Sequence, residues 1–314
     1  MSLRIIYGRA GTGKSEYCYK EIAEKVKEEK ILIITPEQFS FTAEKKLMEA
    51  IDTEAVLNAE VVTLSRMAYR VINEIGGKTE TNLSKCGKAM LIYSILNNCK
   101  KDLKFLGKTD ENVDMAGTAI TEFKKHGISV EQLKQETEKQ SDIYLKNKLN
   151  DINMIYEKFQ EQIAGKYIDE TDLLTILAQN VDKVPDFKEN LIYIDEFAGF
   201  TSQEYEIIKK LVQIAKQVTV IICTDEIHDA KNPDTDIFYS NERTVKKLYR
   251  ATSATTTWRR ISNRRIFKRT GKWIKTTQKS VMRNCRKPIS SVSLSAPSNA
   301  RRIMRYILQR TRTP

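Results

Sequence analysis

Residues Gly8-Arg9-Ala10-Gly11-Thr12-Gly13-Lys14-Ser15 spell a complete G-x-x-x-x-G-K-[ST] loop directly after the apolar run Leu3-Arg4-Ile5-Ile6-Tyr7. A strand before the loop and a helix after it is the context in which this pattern cradles phosphates. Glycines at 8, 11 and 13 let the backbone curl until its N–H groups face a β-phosphate. Lys14 then bridges β- and γ-oxygens, and the Ser15 hydroxyl ligates Mg²⁺. Arg9, Ala10 and Thr12 complete the candidate ATP-binding residues. Ser15 to Glu29 contains neither Gly nor Pro and puts Cys18, Ile22 and Val26 on one face, so the spacing predicts a helix whose N-terminus meets the phosphates.

Strands and helices alternate beyond the loop. Ile31-Leu32-Ile33-Ile34-Thr35, stopped by Pro36, reads as a buried parallel strand, with a helix following through Leu47 and Ile51. Glu60-Val61-Val62-Thr63-Leu64 reads as a third strand, and Ala68, Val71, Ile72 and Ile75 mark a helix ended by Gly76-Gly77. Three strand-to-helix passages predict an α/β domain with a parallel sheet. From about Lys78 to Asp186 the pattern becomes helical. Leu145, Leu149, Ile152, Tyr156, Phe159 and Ile163 form an apolar seam at alternating spacings of four and three, expected to pack within the chain. We therefore expect residues 1–77 and 187–250 to form the α/β domain, with 78–186 an all-α insertion.

The α/β pattern returns at Leu191-Ile192-Tyr193-Ile194-Asp195-Glu196. An apolar strand delivering an acidic pair complements the phosphate loop: Asp195 holds Mg²⁺ and Glu196 orients and deprotonates the attacking water. Thr201-Ser202-Gln203-Glu204 reads as a capping box, and Val218 to Cys223 as another strand. Thr224-Asp225-Glu226 follows it, at the place of a γ-phosphate sensor.

Charge splits the chain. Residues 1–250 carry 36 basic and 41 acidic side chains, net −5, whereas residues 251–314 carry 17 basic and no acidic ones, net +17. Lys dominates the first part and Arg the second, and both tryptophans, Trp258 and Trp273, lie in the second. Two readings of 251–314 compete: a basic arm that binds nucleic acid, or the product of a shifted reading frame. The frameshift is favoured, and either way the segment is expected to stay unpacked, apart from a helical turn or two at Arg301 to Gln309. Cys18, Cys86, Cys99, Cys223 and Cys285 are scattered without a C-x-x-C pair, and no apolar run spans a bilayer. A reduced, cytoplasmic protein with no membrane partner is expected. His126 and His228 read as surface residues.

Four segments together resemble the N-terminus of the AddB family, the B subunits of bacterial AddAB helicase-nucleases. They are Tyr7 to Ser15, Thr35-Pro36-Glu37-Gln38-Phe39, Leu191 to Phe200, and Gln203-Glu204-Tyr205. Thr63-Leu64-Ser65-Arg66-Met67-Ala68-Tyr69-Arg70-Val71-Ile72 is similar to a DNA-contacting motif of UvrD-like superfamily 1 helicases. The likeness covers roughly residues 1 to 250. It implies a P-loop NTPase of RecA-like fold, the 1A domain of a superfamily 1 helicase with a 1B-like helical insertion. It also implies ATP and Mg²⁺ as cofactors, DNA with double-strand ends and single strands as substrate, an AddA-like subunit as heterodimer partner, and resection for recombinational repair.

By the same resemblance Thr35, Gln38, Thr63 and Arg66 are candidate DNA contacts. The family's second motor domain, nuclease domain and iron-sulfur cysteines have no counterpart in this sequence, so no cluster is expected. The Gln of an active helicase is replaced by Thr224-Asp225-Glu226-Ile227, which puts translocation in doubt. A free-standing P-loop ATPase or kinase, and a nucleotide-stabilised scaffold without turnover, are the alternatives.

Overall fold

The computed structural model describes residues 2–51, 58–77, 80–106, 112–225, 227, 237–252 and 255–261, together with strands at 265–267, 273–275 and 281–284. Strand β1 (Ser2–Gly8) is buried on both faces, with Leu3, Ile5 and Ile6 fully covered, as an interior parallel strand requires. Helix α1 (Lys14–Lys25) lays Cys18 and Ile22 on the sheet, and β2 (Ile31–Ile34) is buried along its whole length. Helix α2 (Ser40–Ala50) covers the sheet with Ala43 and Leu47 before β3 (Ala59–Val62). Thr63 then opens α3 (Leu64–Glu74), its Oγ1 accepting from Arg66 N at 3.3 Å, and Met67, Ala68, Val71 and Ile72 form the buried face.

The chain next forms β4 (Thr81–Asn82), α4 (Lys85–Asn98), α5 (Asn112–Lys125), α6 (Val130–Glu138), α7 (Ile143–Ile163), β5 (Tyr167–Ile168) and α8 (Glu170–Asn180). The expected seam of α7 is internal: Leu149, Ile152, Tyr156, Phe159 and Ile163 join one core with Ile92, Ile95, Ala119, Ile120 and Phe123. Two partly buried ion pairs, Lys124–Asp172 at 2.9 Å and Lys88–Asp169 at 2.8 Å, lie in this unit with both ammonium groups over the Phe159 ring. β4 and β5 pair in parallel over two residues. The sequence pattern finds no strand here, because Thr81 and Asn82 are polar, exposed and without alternation.

Then come β6 (Leu191–Ile194), α9 (Ser202–Ile214), β7 (Gln217–Cys223), α10 (Tyr239–Thr252), β8 (Thr255–Arg260), β9 (Arg265–Phe267), β10 (Trp273–Lys275) and β11 (Val281–Asn284). The main sheet runs β11-β8-β1-β7-β6-β2-β3. Its first six strands in chain order are all parallel, and only β11 is antiparallel, against β8. The fold is α/β. No helix among the described residues is long and apolar enough to cross a membrane.

Two compact units emerge: residues 1–76, 176–200 and 204–288, and residues 77–175 with 201–203. The helical unit thus ends at 175 rather than at the expected 186. Leu173, Ile176 and Leu177 continue one apolar pattern across that point, so sequence offers no break there.

The segment after residue 250 departs most from expectation. Thr255–Arg260 pairs with Ser2–Tyr7 residue by residue, and Ile261 is buried in the core shared by α1 and the sheet. Alternation along β8 sends Arg259 over the Tyr17 ring of α1 at 4.3 Å, while Trp258 meets Tyr249 of α10. Thr255 to Ile261 therefore belongs to the sheet. A β-branched and aromatic run, Thr255-Thr256-Thr257-Trp258, is a strand signal that the missing carboxylates had outweighed. Arg301 to Gln309, Cys285, His228 and the Trp273 side chain lie outside the described residues.

Candidate functional site

In a parallel sheet every strand delivers its carboxyl end to one edge, where the crevice of an α/β domain binds ligands. Here β1 ends in Gly8, β2 leads to Thr35, β3 to Thr63, β6 to Asp195 and β7 to Thr224. Arg9 to Gly13 fold back from β1, and Lys14 and Ser15 open α1. Gly13, the residue preceding α1, has φ +83°, a left-handed backbone that a side chain would strain. The loop is tied to itself around the Arg9 carbonyl, which accepts from Thr12 Oγ1 at 2.9 Å and Lys14 Nζ at 2.8 Å. Ala10 is exposed on the loop.

Ser15 and Asp195, 180 positions apart in sequence, meet as partners. Burial pushes the Asp195 carboxyl above the usual carboxylate range, the Ser15 hydroxyl opposes that rise by hydrogen bonding, and the nearby Glu196 charge adds to it. Asp195 is nearly fully covered. A hydroxyl and a carboxylate converging at the helix N-terminus form the oxygen donor set that suits Mg²⁺, and a divalent ion would offset the burial of the charge. Glu196 has φ +65°, a strained conformation for a non-glycine residue. Its N–H donates to Asp195 Oδ1 at 2.8 Å and its carboxylate lies 3.4 Å from Lys46 Nζ of α2.

The far side of the loop is braced. Asp225 accepts from Arg9 Nη2 through one oxygen and from Arg260 Nη2 at 3.0 Å through the other. The Arg9 guanidinium holds this carboxyl below its usual range. Thr224 N donates to Gly8 O at 3.2 Å, and Ile261 N to Tyr7 O at 2.8 Å. A Cβ on Gly8 would stand 2.2 Å from the Ile261 carbonyl oxygen, so glycine is required here by close backbone approach. Gly8→Ala is expected to lower stability by about 1–3 kcal/mol through this overpacking, read as a lower denaturant midpoint. Wild-type stability would show that β8 yields freely.

The sensor reading placed at Thr224-Asp225-Glu226 meets a different arrangement: Thr224 is fully buried and Asp225 engages two arginines. Glu226 lies outside the described residues. Of the candidate DNA contacts, Gln38 and Arg66 are exposed, whereas Thr35 and Thr63 are buried and Thr63 caps α3. Sequence reasoning missed Lys46, Arg260 and Ile261.

A family model described as "ADDB, N-terminal" matches residues 5–277. The chain belongs to the AddB family. The AddB match extends past residue 250, where the composition changes, in keeping with the placement of β8. Among AddB relatives, the B subunit of the ATP-dependent helicase/deoxyribonuclease of Clostridium tetani (strain Massachusetts / E88) is 42% identical over 258 residues, covering 79% of this chain and 22% of the relative. The proteins of the same name from Clostridium novyi (strain NT) and Thermoanaerobacter sp. (strain X514) are 38% and 37% identical, each over 254 residues with the same two coverages. The chain spans about a fifth of the length of these AddB relatives.

Proposed function

We propose that the sheet-bearing unit is a RecA-like P-loop domain that binds Mg·ATP, with the helical unit as its 1B-like insertion. The observation that carries this reading is the meeting of Ser15 with Asp195 at the carboxyl edge of a parallel sheet, beside a loop whose Lys14 is aimed by the Arg9 carbonyl. In this reading Gly8 to Ser15 hold the triphosphate, Ser15 and Asp195 hold Mg²⁺, and Glu196 acts on the attacking water once it leaves Lys46. The names of the relatives support a place as the B subunit of an ATP-dependent helicase/deoxyribonuclease; to this we add resection of double-strand DNA ends in the cytoplasm together with an AddA-like subunit. Exposed Phe41 and Tyr69, each one helical turn beyond Gln38 and Arg66, support DNA contact along α2 and α3, since aromatic faces stack on unpaired bases.

Titration of the 314-residue protein with a fluorescent ATP analogue is expected to give Mg²⁺-dependent binding. Lys14→Ala weakens it about 100-fold, through loss of a charge-assisted contact worth roughly 2–3 kcal/mol. Phosphate release by this segment alone is expected to be negligible, because arginines from a second motor domain supply about 10³-fold or more in helicases of this type. Rapid, DNA-independent hydrolysis abolished by Glu196→Gln would replace this reading with a free-standing ATPase.

A further inference from the structure

Thr35 is wholly buried, yet its Oγ1 has no hydrogen-bond partner among the described residues. Buried hydroxyls are nearly always partnered, so a lone one points to a water or ion held beside it. The register identifies the neighbour. β2 and β6 pair Ile34 with Ile194, and Asp195 N continues the ladder to Ile34 O at 3.1 Å. Thr35 therefore stands beside Asp195 across one strand spacing of about 4.8 Å. Alternation fixes the face: Ile31 and Ile33 of β2, and Leu191 and Tyr193 of β6, pack with Cys18 and Ile22 of α1, and Thr35 and Asp195 continue those two rows. Ser15 meets Asp195 from this α1 side. A hydroxyl and a carboxylate one strand spacing apart, without a direct bond, leave the span that a single water bridges.

We infer that Thr35 is a positioning residue for the metal: its hydroxyl holds a water of the hydrated Mg²⁺ against Asp195. This rests on the reading of the loop as a Mg·ATP site. Mg²⁺ keeps several of its waters and takes only one or two protein oxygens, so groups that orient those waters tune its affinity. Thr35 thereby moves from the candidate DNA contacts to the outer shell of the metal.

Thr35→Val keeps the shape and removes the hydroxyl, and because that hydroxyl is unpartnered in the protein the melting temperature is expected to hold or rise. The full 314-residue protein is titrated with a fluorescent ATP analogue across a Mg²⁺ series and in EDTA, and Mn²⁺ binding to the nucleotide-loaded protein is followed by electron paramagnetic resonance. Thr35→Val is expected to raise the metal concentration for half-maximal binding about tenfold, leave metal-free affinity unchanged, and be rescued by Thr35→Ser. An equal loss with and without metal, or an unchanged metal requirement, overturns the inference. A wild-type protein that binds no nucleotide overturns the reading of the site itself, and this inference with it.

Discussion

A chain ended at residue 250 is expected to lose its cooperative fold. That cut removes the whole parallel pairing of β8 with β1, the core side chain Ile261 and the stacking of Arg259 on Tyr17. Each backbone hydrogen bond contributes about 1 kcal/mol and a buried Ile about 2 kcal/mol. Against a total stability of about 5–15 kcal/mol, the loss approaches the whole margin. It also exposes one edge of β1, an apolar strand whose free N–H and C=O groups would template aggregation. Residues 1–250 should therefore be insoluble or melt without a sharp transition, and in the full chain the segment around Trp258 should resist trypsin. A soluble 1–250 fragment melting within a few degrees of the full chain would refute the role given to β8.

Glu21→Gln is expected to remove about 3–5 kcal/mol at neutral pH. The Glu21 carboxylate sits under the sheet and accepts from both terminal nitrogens of Arg4, at 2.9 and 2.8 Å, from Lys25 at 2.8 Å, from Tyr193 at 2.8 Å and from Tyr17 at 3.0 Å. One side chain thus ties α1 to β1 and β6. Burial would raise its pKa, but the Arg4 pair, then Lys25, overcome that and hold it down at about 2, from an ordinary 4.5. Because the folded-state value is depressed, the contribution is fully present above about pH 4.5 and fades as pH falls toward 2, amounting to about 3 kcal/mol. Stability measured by urea unfolding should fall across that window in the wild type and stay flatter in Glu21→Gln. Parallel curves would show that other carboxylates govern acid unfolding.

The strand–loop–helix passage at residues 2–25 and the strand that ends at Asp195 were legible as structure because each is a contiguous pattern: an apolar run, a turn chemistry and a helix start lie within a few residues. The seam of α7 was legible for the same reason. Pairing between distant segments escaped. Nothing local tells that Gly8 must clear the Ile261 carbonyl, or that Asp225 engages both Arg9 and Arg260. Thr63 reads identically in sequence as a DNA contact and as a helix cap, and only the fold shows that it is buried and caps α3. Charge statistics over 251–314 averaged a sheet strand with the residues after it, and the average hid the strand.

Among the strands of this sheet β1 comes first in chain order, yet it lies in the interior, between β7 and β8. Its pairing with β7 joins residues 215 positions apart, as Arg4 and Thr219 show. At a synthesis rate of about 5–20 residues per second, this apolar segment waits about 10–40 s for its first neighbour and longer for its second. The loop at residues 9–13 hangs from β1, and its distant braces, the Asp225 carboxylate on Arg9 and the Ile261 N–H on Tyr7 O, are made only after residues 225 and 261 have left the ribosome. Whatever shields Leu3, Ile5 and Ile6 in that interval must therefore come from outside the finished sheet.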